Sequence, residues 1–231
     1  MDVTVGINTD EYVTSHTLVS LTKMFNAYPE DFQSRLIVVE GGCGDFAGGR
    51  NRLVREFLST GVEWLLVVDS DMVWQPEDWR ILRDSADEAE RPWVSGTYFV
   101  DNEVIRPCCM NYHEDGSATI PILSDESTEL VQVSAACVGF GLIHRDVFYK
   151  TGDFENDHEW FEHGWRSPQG GTLSEDYAFC SRAGEAGIPI YINTKVRVGH
   201  VKRKILTWDD YRRQRQEVER ADALLAEETG D

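Results

Sequence analysis

Two aspartates at the end of a hydrophobic run are the strongest chemical signal in the sequence. Asp69 and Asp71 close the segment WLLVVDSDM, whose preceding residues are all apolar, a pattern typical of a strand covered on both faces. Residues two apart on a strand point to the same face, and ligands of open α/β sheets bind beyond the carboxyl ends of the strands. The pair therefore predicts a site for a hard divalent cation that also holds a diphosphate. The alternative is that Asp69, Ser70 and Asp71 only cap the following turn.

A second acidic pair and a histidine follow further along the chain. Glu175 and Asp176 come directly after Ser174, a favourable N-cap residue, so they fall in the first turn of a predicted helix. A carboxylate there can act as general base toward an acceptor hydroxyl, although the helix dipole alone accounts for one acidic residue at this position. His200 follows the predicted strand VRVGH. Beside carboxylates it would favour Mn²⁺ over Mg²⁺, and a structural role is the alternative.

Alternating strands and helices predict the scaffold that positions these residues. The first half predicts a mostly parallel central sheet flanked by helices on both faces, and the strand-rich second half predicts a small mixed sheet on the acceptor side. Residues 153–172 are polar, aromatic and glycine-containing, which predicts a mobile loop. Its aromatic side chains either close over a bound substrate as a lid or pack against the core: Trp160, Phe161 and Trp165. The loop GGCGDFAGG is predicted to lead into a helix that begins at Arg50 and ends at Gly61, which fits a C-terminal cap. The segment VQVSAACVGFGLIHR is predicted as a strand, and an amphipathic helix is predicted for residues 206–231.

Length, charge and cysteine content restrict the class of protein. With 231 residues and 41% hydrophobic content, the chain suffices for one substantial core, and a single domain is expected over residues 1–205. The net charge of −19 argues against a nucleic acid partner, which requires a basic face. No apolar run is long enough to span a bilayer and the start lacks signal-peptide features, so a soluble, cytoplasmic protein is expected. The five cysteines are expected to be free thiols.

An ordered set of segments resembles the small GT-A glycosyltransferases, including family-2-like members of bacteria and bacteriophages. The segments are RNRLVREFL, WLLVVDSDMVWQPED, VSGTYF, ACVGFGLIHRDVF, SEDYAFCSRAGEAGIPIYINT and VGHV, and the resemblance spans roughly Val3 to Val201. It implies a GT-A, Rossmann-like fold. The nucleotide-sugar half would cover about residues 1–100, and the acceptor half about 101–205.

The same resemblance implies roles for individual residues. The D-x-D motif and the later histidine imply a site for Mn²⁺ or Mg²⁺ and for a UDP- or GDP-sugar, with Asp69, Ser70 and Asp71 at the donor and Asp69, Asp71 and His200 as metal ligands. In inverting members the E-D pair supplies the catalytic base, which implies Asp176, with Glu175 beside it at the acceptor. Contacts to the nucleotide base are implied for Asn8, Thr9 and Asp10, and contacts to the ribose or diphosphate are implied for Arg50 and Asn51.

The expected function is the metal-dependent transfer of a sugar from a UDP- or GDP-sugar to a hydroxyl of a protein or glycan, with inversion at the anomeric carbon. Such a hexosyltransferase would act in the cytoplasm of a bacterium or of a host cell infected by a bacteriophage. A metal-dependent nucleotidyltransferase is one alternative, although the glycine-rich basic segment usual near its first strand is absent. A non-catalytic nucleotide-sugar binding protein is the other.

Overall fold

Strands form at the apolar runs of the sequence, and helices form at the amphipathic segments between them. A computed structural model describes residues 1–202 except 11, 33–34, 42–43, 103, 114, 116, 122, 124–128, 153–158 and 165–172. In chain order, the elements of the first half are β1 (Val3–Thr9), α1 (Ser15–Ala27), β2 (Arg35–Glu40), α2 (Phe46–Thr60), β3 (Trp64–Asp69), β4 (Met72–Val73), α3 (Pro76–Ser85) and β5 (Trp93–Thr97). The second half continues with β6 (Phe99–Asn102), β7 (Val104–Pro107), β8 (Cys109–Tyr112), β9 (Ala118–Thr119), β10 (Leu130–Val133), β11 (Ala135–Ala136), β12 (Phe140–His144), α4 (Arg145–Thr151), α5 (Glu175–Glu185), β13 (Ile190–Arg197) and β14 (Gly199–His200).

A central sheet of seven strands has the order β10-β13-β5-β12-β3-β1-β2. Strands β2, β1, β3, β5 and β13 run in one direction, whereas β12 and β10 run antiparallel to their neighbours. The prediction of a mostly parallel sheet is therefore confirmed. Asn8 of β1 lies opposite Asp69 of β3, so these two strands end side by side at the edge where ligands of such sheets bind.

Helices cover both faces of the sheet, as the uninterrupted hydrophobicity of β3 requires. Leu65 and Val67 belong to a core shared with α2, α4 and α5, whereas Leu66 and Val68 belong to a core shared with α1 and α3. All four side chains are at most 2% exposed. Burial of one such side chain contributes about 1.5–3 kcal/mol relative to its exposure. The predicted helices on both faces are confirmed.

Helix α2 begins at Phe46, not at Arg50, where the sequence predicted its start. Asp45 is its N-cap, and the Asp45 side chain accepts a hydrogen bond of 2.9 Å from the backbone N–H of Gly48. This cap outweighs the low helix propensity of the glycines that follow. Gly61 ends the helix with a φ of 80°, as predicted for a C-terminal cap. Arg50 therefore lies in the second turn and not at the helix N-terminus.

The second half of the chain joins the central sheet as well as several smaller ones. The segment VQVSAACVGFGLIHR, predicted as one strand, is divided among β10, β11 and β12, and β12 inserts between β3 and β5. Within the described ranges the small sheets are β11-β8-β9, β14-β4 and β6-β7, and their strand pairs are antiparallel. Residues Met1–Val201 form one compact unit. The helix predicted for 206–231 lies outside the described residues. None of the helices described is both long and apolar enough to cross a membrane.

Glycine-to-alanine substitutions in two helices should change stability in opposite directions. A Cβ at Gly49 in α2 would lie 2.9 Å from Gly41 Cα and would overlap the Asn8 amide, and the Gly41 backbone cannot rotate away. Gly49→Ala is expected to lower the free energy of unfolding by about 1–2 kcal/mol, because this overlap outweighs the gain in helix propensity. A Cβ at Gly184 in α5 would meet no atom within 4 Å. Gly184→Ala should therefore raise the free energy of unfolding by about 0.5–1 kcal/mol. Urea denaturation of both variants measures the two effects, and a stabilised Gly49→Ala protein would contradict the close packing of α2 against β1.

Candidate active site

A buried arginine joins three carboxylates at the carboxyl edge of the sheet. Arg50 of α2 is 5% exposed, and its Nη1 donates to Glu175 Oε1 at 2.7 Å and to Asp176 Oδ1. Its Nη2 donates to both carboxylate oxygens of Asp69, at 3.1 and 3.4 Å. One guanidinium thus connects the end of β3 with the first turn of α5. The structure brings together the predicted catalytic pair and the first aspartate of the D-x-D motif.

Asp176 has the electrostatic properties of a general base that works near neutrality. Burial raises the pKa of its carboxyl to about 7, the charge of Arg50 opposes this rise, and the carboxylates of Glu175 and Asp69 add to it. The backbone N–H of Val138 also donates to Asp176 Oδ2 at 3.4 Å and lowers the pKa slightly. A base whose pKa lies near the working pH is deprotonated in a large fraction of the molecules and still accepts a proton readily. Ser174 occupies the N-cap of α5 as predicted, but its side chain makes no capping hydrogen bond.

Neighbouring carboxylates keep the Arg50 guanidinium positively charged. Burial alone lowers the pKa of the guanidinium, but Asp176, Asp69 and Glu175 outweigh that effect and raise the pKa above its ordinary value. The Arg50 Cζ atom lies 5.7 Å from the centroid of the Phe161 ring, an arrangement that favours a cation. The side chain therefore stays protonated throughout the physiological range.

Gly139 allows Asp69 and Tyr98 to approach the backbone closely. A Cβ at this position would lie 2.6 Å from Asp69 Oδ2 and 2.7 Å from the Tyr98 hydroxyl oxygen. The Gly139 N–H donates to the Tyr98 hydroxyl at 3.0 Å, and its carbonyl accepts from the Asp69 N–H at 2.9 Å. Tyr98 was not predicted as a site residue. Its position directly after β5, at the same edge of the sheet as Asp69, is the signal that could have identified it.

Asp71 and His200 meet through a short antiparallel ribbon. Strand β14 pairs with β4 so that His200 lies opposite Met72, and the Val201 N–H donates to the Asp71 carbonyl at 2.8 Å. His200 Nε2 lies 3.2 Å from Asp71 Oδ2. His200 Nδ1 lies 2.9 Å from the Phe99 carbonyl oxygen, a contact that requires a proton on Nδ1 and leaves Nε2 directed at Asp71.

The two aspartates of the D-x-D motif have different partners. Strand β3 ends at Asp69, and Ser70 and Asp71 lie in the following turn, so the alternation of side chains along a strand does not extend to Asp71. The expectation that both carboxylates project from one strand face is therefore corrected: Asp69 binds Arg50, and Asp71 contacts His200. The Ser70 carbonyl accepts hydrogen bonds of 2.9 Å from the Thr14 N–H and from the Thr17 hydroxyl, which ties this turn to α1.

The Asp71–His200 pair suits a transition-metal ion. No group of three or more His, Cys, Asp and Glu side chains among the described residues is arranged to hold a metal. The pair nevertheless offers one carboxylate oxygen and one imidazole nitrogen, a donor set acceptable to Mn²⁺. The hydrogen bond from Nδ1 to a backbone carbonyl is the usual support of a metal-binding histidine.

The residues predicted to contact the nucleotide base lie at the end of β1. Asn8 is 5% exposed, and its amide nitrogen donates to the Phe46 carbonyl at 3.3 Å while its Oδ1 is buried without a hydrogen-bond partner. The Thr9 hydroxyl donates to the Tyr12 carbonyl at 2.8 Å. Asp10 Oδ1 accepts from the Gly44 N–H at 3.3 Å. Asn8 and Thr9 therefore support the loops that follow β1 and precede α2, and their roles toward a nucleotide stay predictions.

Asn51 connects α2 to the described part of the segment predicted as a mobile loop. Its side-chain amide donates to the Phe161 carbonyl at 2.8 Å and accepts from the Phe161 N–H at 2.9 Å. Trp160 and Phe161 are 2% and 3% exposed and belong to the core, so packing and not a lid accounts for both. Trp165, like residues 153–158 and 166–172, lies outside the described residues.

The described residues line at least two cavities. One of about 410 Å³ adjoins His200 and is lined by Thr97, Phe99, Leu123, Thr194, Arg197, Val198 and Gly199. Another of about 730 Å³ lies against the second half of α5 and the start of β13, including Ser181, Glu185 and Ile190. The lining of the smaller cavity includes Gly199, which precedes His200 in the chain, and Phe99, whose carbonyl contacts His200 Nδ1.

Comparison with known proteins identifies the fold. No protein-family model matches the chain, and no curated protein matches it in sequence. Among solved structures, the crystal structure of A197 from STIV is similar over 88% of this chain and 87% of that chain, with a TM-score of 0.56 and 15% identity. The crystal structure of GalNAc-T7 with UDP, GalNAc and Mn²⁺ is similar over 88% of this chain and 43% of that chain, with a TM-score of 0.58 and 11% identity. The chain thus spans less than half of GalNAc-T7 and has a GT-A-like α/β fold.

Proposed function

We propose that the protein is a metal-dependent glycosyltransferase that moves a sugar from a UDP- or GDP-sugar to a hydroxyl of a protein or glycan. The observation that carries this proposal is the buried carboxyl of Asp176, whose pKa is raised to about 7 by burial at the sheet edge where Asp69 also lies. A base of that strength is suited to a hydroxyl acceptor. The GT-A-like fold supports the proposal, and GalNAc-T7, which shares this fold, was crystallised with UDP, GalNAc and Mn²⁺.

The proposed chemistry divides between the Asp71–His200 pair and Asp176. Asp71 and His200 would hold a divalent cation, which when bound neutralises the charge of the diphosphate leaving group. Asp176 accepts the proton of the acceptor hydroxyl while the new bond forms between that oxygen and the anomeric carbon. The bond from the anomeric carbon to the diphosphate oxygen breaks, and its electron pair leaves with the nucleoside diphosphate. Attack from the face opposite the leaving group inverts the anomeric configuration.

Release of a nucleoside diphosphate tests the proposed function. The protein is incubated with Mn²⁺ and each of a panel of UDP- and GDP-sugars, first alone and then with protein and glycan acceptors. We expect one donor to raise the melting temperature and to yield UDP or GDP, because a ligand that binds only the folded state stabilises it. Chelation with EDTA should abolish turnover. NMR should show a β-linked product from an α-linked donor.

Other products would support a different function. Release of pyrophosphate from a nucleoside triphosphate and a sugar phosphate would indicate a nucleotidyltransferase. A donor that binds without hydrolysis or transfer to any acceptor would indicate a binding protein. Undiminished transfer in excess EDTA would refute the role of the metal, and a retained anomeric configuration would refute Asp176 as the base of a single displacement.

A further inference from the structure

The terminal hydrogen-bond donors of Arg50 are directed at carboxylates. Nη1 faces the neighbouring carboxylates of Glu175 and Asp176, and Nη2 faces both oxygens of Asp69. The terminal N–H groups of the guanidinium are thus matched by carboxylate oxygens. The remaining donor, Nε, is buried without a hydrogen-bond partner. A residue whose main task was to bind a diphosphate would direct some of these donors toward the open edge of the sheet.

We infer that Arg50 is a positioning residue that orients the Asp176 carboxylate for removal of the acceptor proton and is not a ligand of the diphosphate. The inference rests on the proposed transferase function, and it replaces the ribose or diphosphate contact implied by the resemblance. Asp176 is held from two sides, because Oδ1 accepts from Arg50 and Oδ2 accepts from the Val138 N–H at 3.4 Å. Two fixed oxygens leave the carboxylate little freedom to rotate away from an acceptor.

The surroundings of Arg50 fix the guanidinium in turn. Phe161 packs over the guanidinium with its ring centroid 5.7 Å from Cζ, and the backbone of Phe161 is bonded twice to the Asn51 amide. Consecutive residues of α2 therefore fix the cation and the aromatic ring that covers it. A planar guanidinium with this support can serve three carboxylates at once, which the single ammonium of lysine cannot do with the same geometry.

The charge of Arg50 also affects the proton affinity of Asp176. Burial, Glu175 and Asp69 raise the pKa of Asp176, whereas Arg50 lowers it and so keeps the group at about 7. Uncharged titratable groups face Asp176 as well, and their own pKa values are raised by hydrogen bonding or burial, so they remain neutral: Tyr98, Cys137 and Cys180. Removal of the Arg50 charge should therefore raise the pKa of Asp176 further.

Steady-state kinetics distinguish a positioning role from a diphosphate contact. Arg50→Met should lower kcat about 100-fold at pH 7 and leave the KM and Kd of the donor within about twofold, since general-base catalysis commonly contributes 10²–10⁴-fold. Arg50→Lys keeps the charge and should recover part of the lost kcat. The acidic limb of the pH profile of kcat should move to higher pH in Arg50→Met and less in Arg50→Lys. A donor KM raised tenfold or more with unchanged kcat would overturn the inference.

Arg55→Met is the matched control. Arg55 lies on the same helix, is 49% exposed in its side chain and pairs with Glu159 at the surface. Its replacement should leave kcat, KM and the pH profile unchanged. If Arg55→Met reproduces the kinetics of Arg50→Met, loss of helix stability explains both variants and the inference fails.

A readout without turnover separates this inference from the proposed function. Carboxyl ¹³C NMR titration of the metal-free protein should give Asp176 a pKa at least one unit higher in Arg50→Met than in the wild type. An unchanged pKa would overturn the inference even if the wild type transfers sugar. A raised pKa in a protein that transfers no sugar would preserve the contact and refute the transferase. If Arg50→Met loses its near-ultraviolet circular dichroism, Arg50→Lys is assayed in its place, and an unchanged kcat in that variant would contradict the inference, because lysine cannot hold the three carboxylates in the same geometry.

Discussion

Asp176→Asn is expected to lower the rate of sugar transfer by about 1000-fold while the donor binds with unchanged affinity, because the amide cannot accept the proton of the acceptor. The substitution keeps the shape of the side chain that Arg50 and Val138 contact. Transfer is measured with saturating donor, and donor affinity is measured separately by calorimetry. Glu185→Gln, an equivalent change at an exposed position of the same helix, should have no effect. A transfer rate within a few-fold of wild type would remove Asp176 as the base.

The same variant should be more stable than the wild type above neutral pH. A carboxyl of ordinary pKa 3.8 is raised to about 7 in the folded protein by burial, so between these values the folded state holds a proton that the unfolded state has released. The contribution of Asp176 to stability is therefore present below pH 4 and is lost as the pH rises through 7. Asn does not ionise, so the variant does not lose this stability as the pH rises. In the variant, Arg50 keeps Glu175 and Asp69 as partners. Thermal unfolding in EDTA at pH 5 and pH 8 tests this, and an Asn variant less stable than wild type at pH 8 would contradict the burial of an ionised Asp176.

Loss of either Asp71 or His200 is expected to weaken Mn²⁺ binding by roughly 100-fold or more, since even the outer partners of metal ligands commonly contribute 10–100-fold. Asp71→Asn and His200→Gln retain the shape of each side chain and change its donor atoms. Binding is measured from the electron paramagnetic resonance signal of free Mn²⁺, with UDP present in excess. His113→Gln is the control, because His113 is exposed and its Nε2 lies 2.8 Å from the Thr119 hydroxyl. Equal affinities in the wild type and both site variants would refute a metal at this pair.

Asp69→Asn distinguishes a proposed metal centre with two protein ligands from one with three. If Asp69 remains with Arg50 when the donor binds, the Asn variant should bind Mn²⁺ almost as tightly as the wild type. If Asp69 leaves Arg50 to bind the cation, as the resemblance to GT-A enzymes implies, the variant should lose affinity as Asp71→Asn does.

The sequence was informative about elements whose formation depends on local patterns. The uninterrupted apolar run of β3 predicted a strand between two layers of helices, and Gly61 predicted the end of α2, since both depend on residues close in the chain. The predicted start of α2 was wrong, because the Asp45 cap and the packing of Gly49 against Asn8 and Gly41 outweigh the low helix propensity of the glycines. That packing joins distant parts of the chain.

In the candidate site, too, the sequence predicted local features but not contacts between distant parts of the chain. The residue types of Asp176 and His200 and their places near element boundaries could be predicted from the sequence. The pairing of Asp69 with Arg50 could not, because it depends on the orientation of α2 relative to β3 and α5. Tyr98 was missed because its contact with Gly139 arises only when β12 inserts beside β5. Side-chain periodicity carries no information about such an insertion.

The ribbon of β4 and β14 brings together two proposed metal ligands that are synthesised at different times. Asp71 follows the third strand of the chain, whereas His200 follows the last strand of the central sheet. A nascent chain that has emerged as far as β13 contains all strands of that sheet and lacks one donor of the pair. If Asp71 and His200 hold the cation as proposed, affinity for Mn²⁺ would appear only after the sheet is complete. A ribosome-bound series of increasing length would then acquire Mn²⁺ binding in one step, once His200 has emerged.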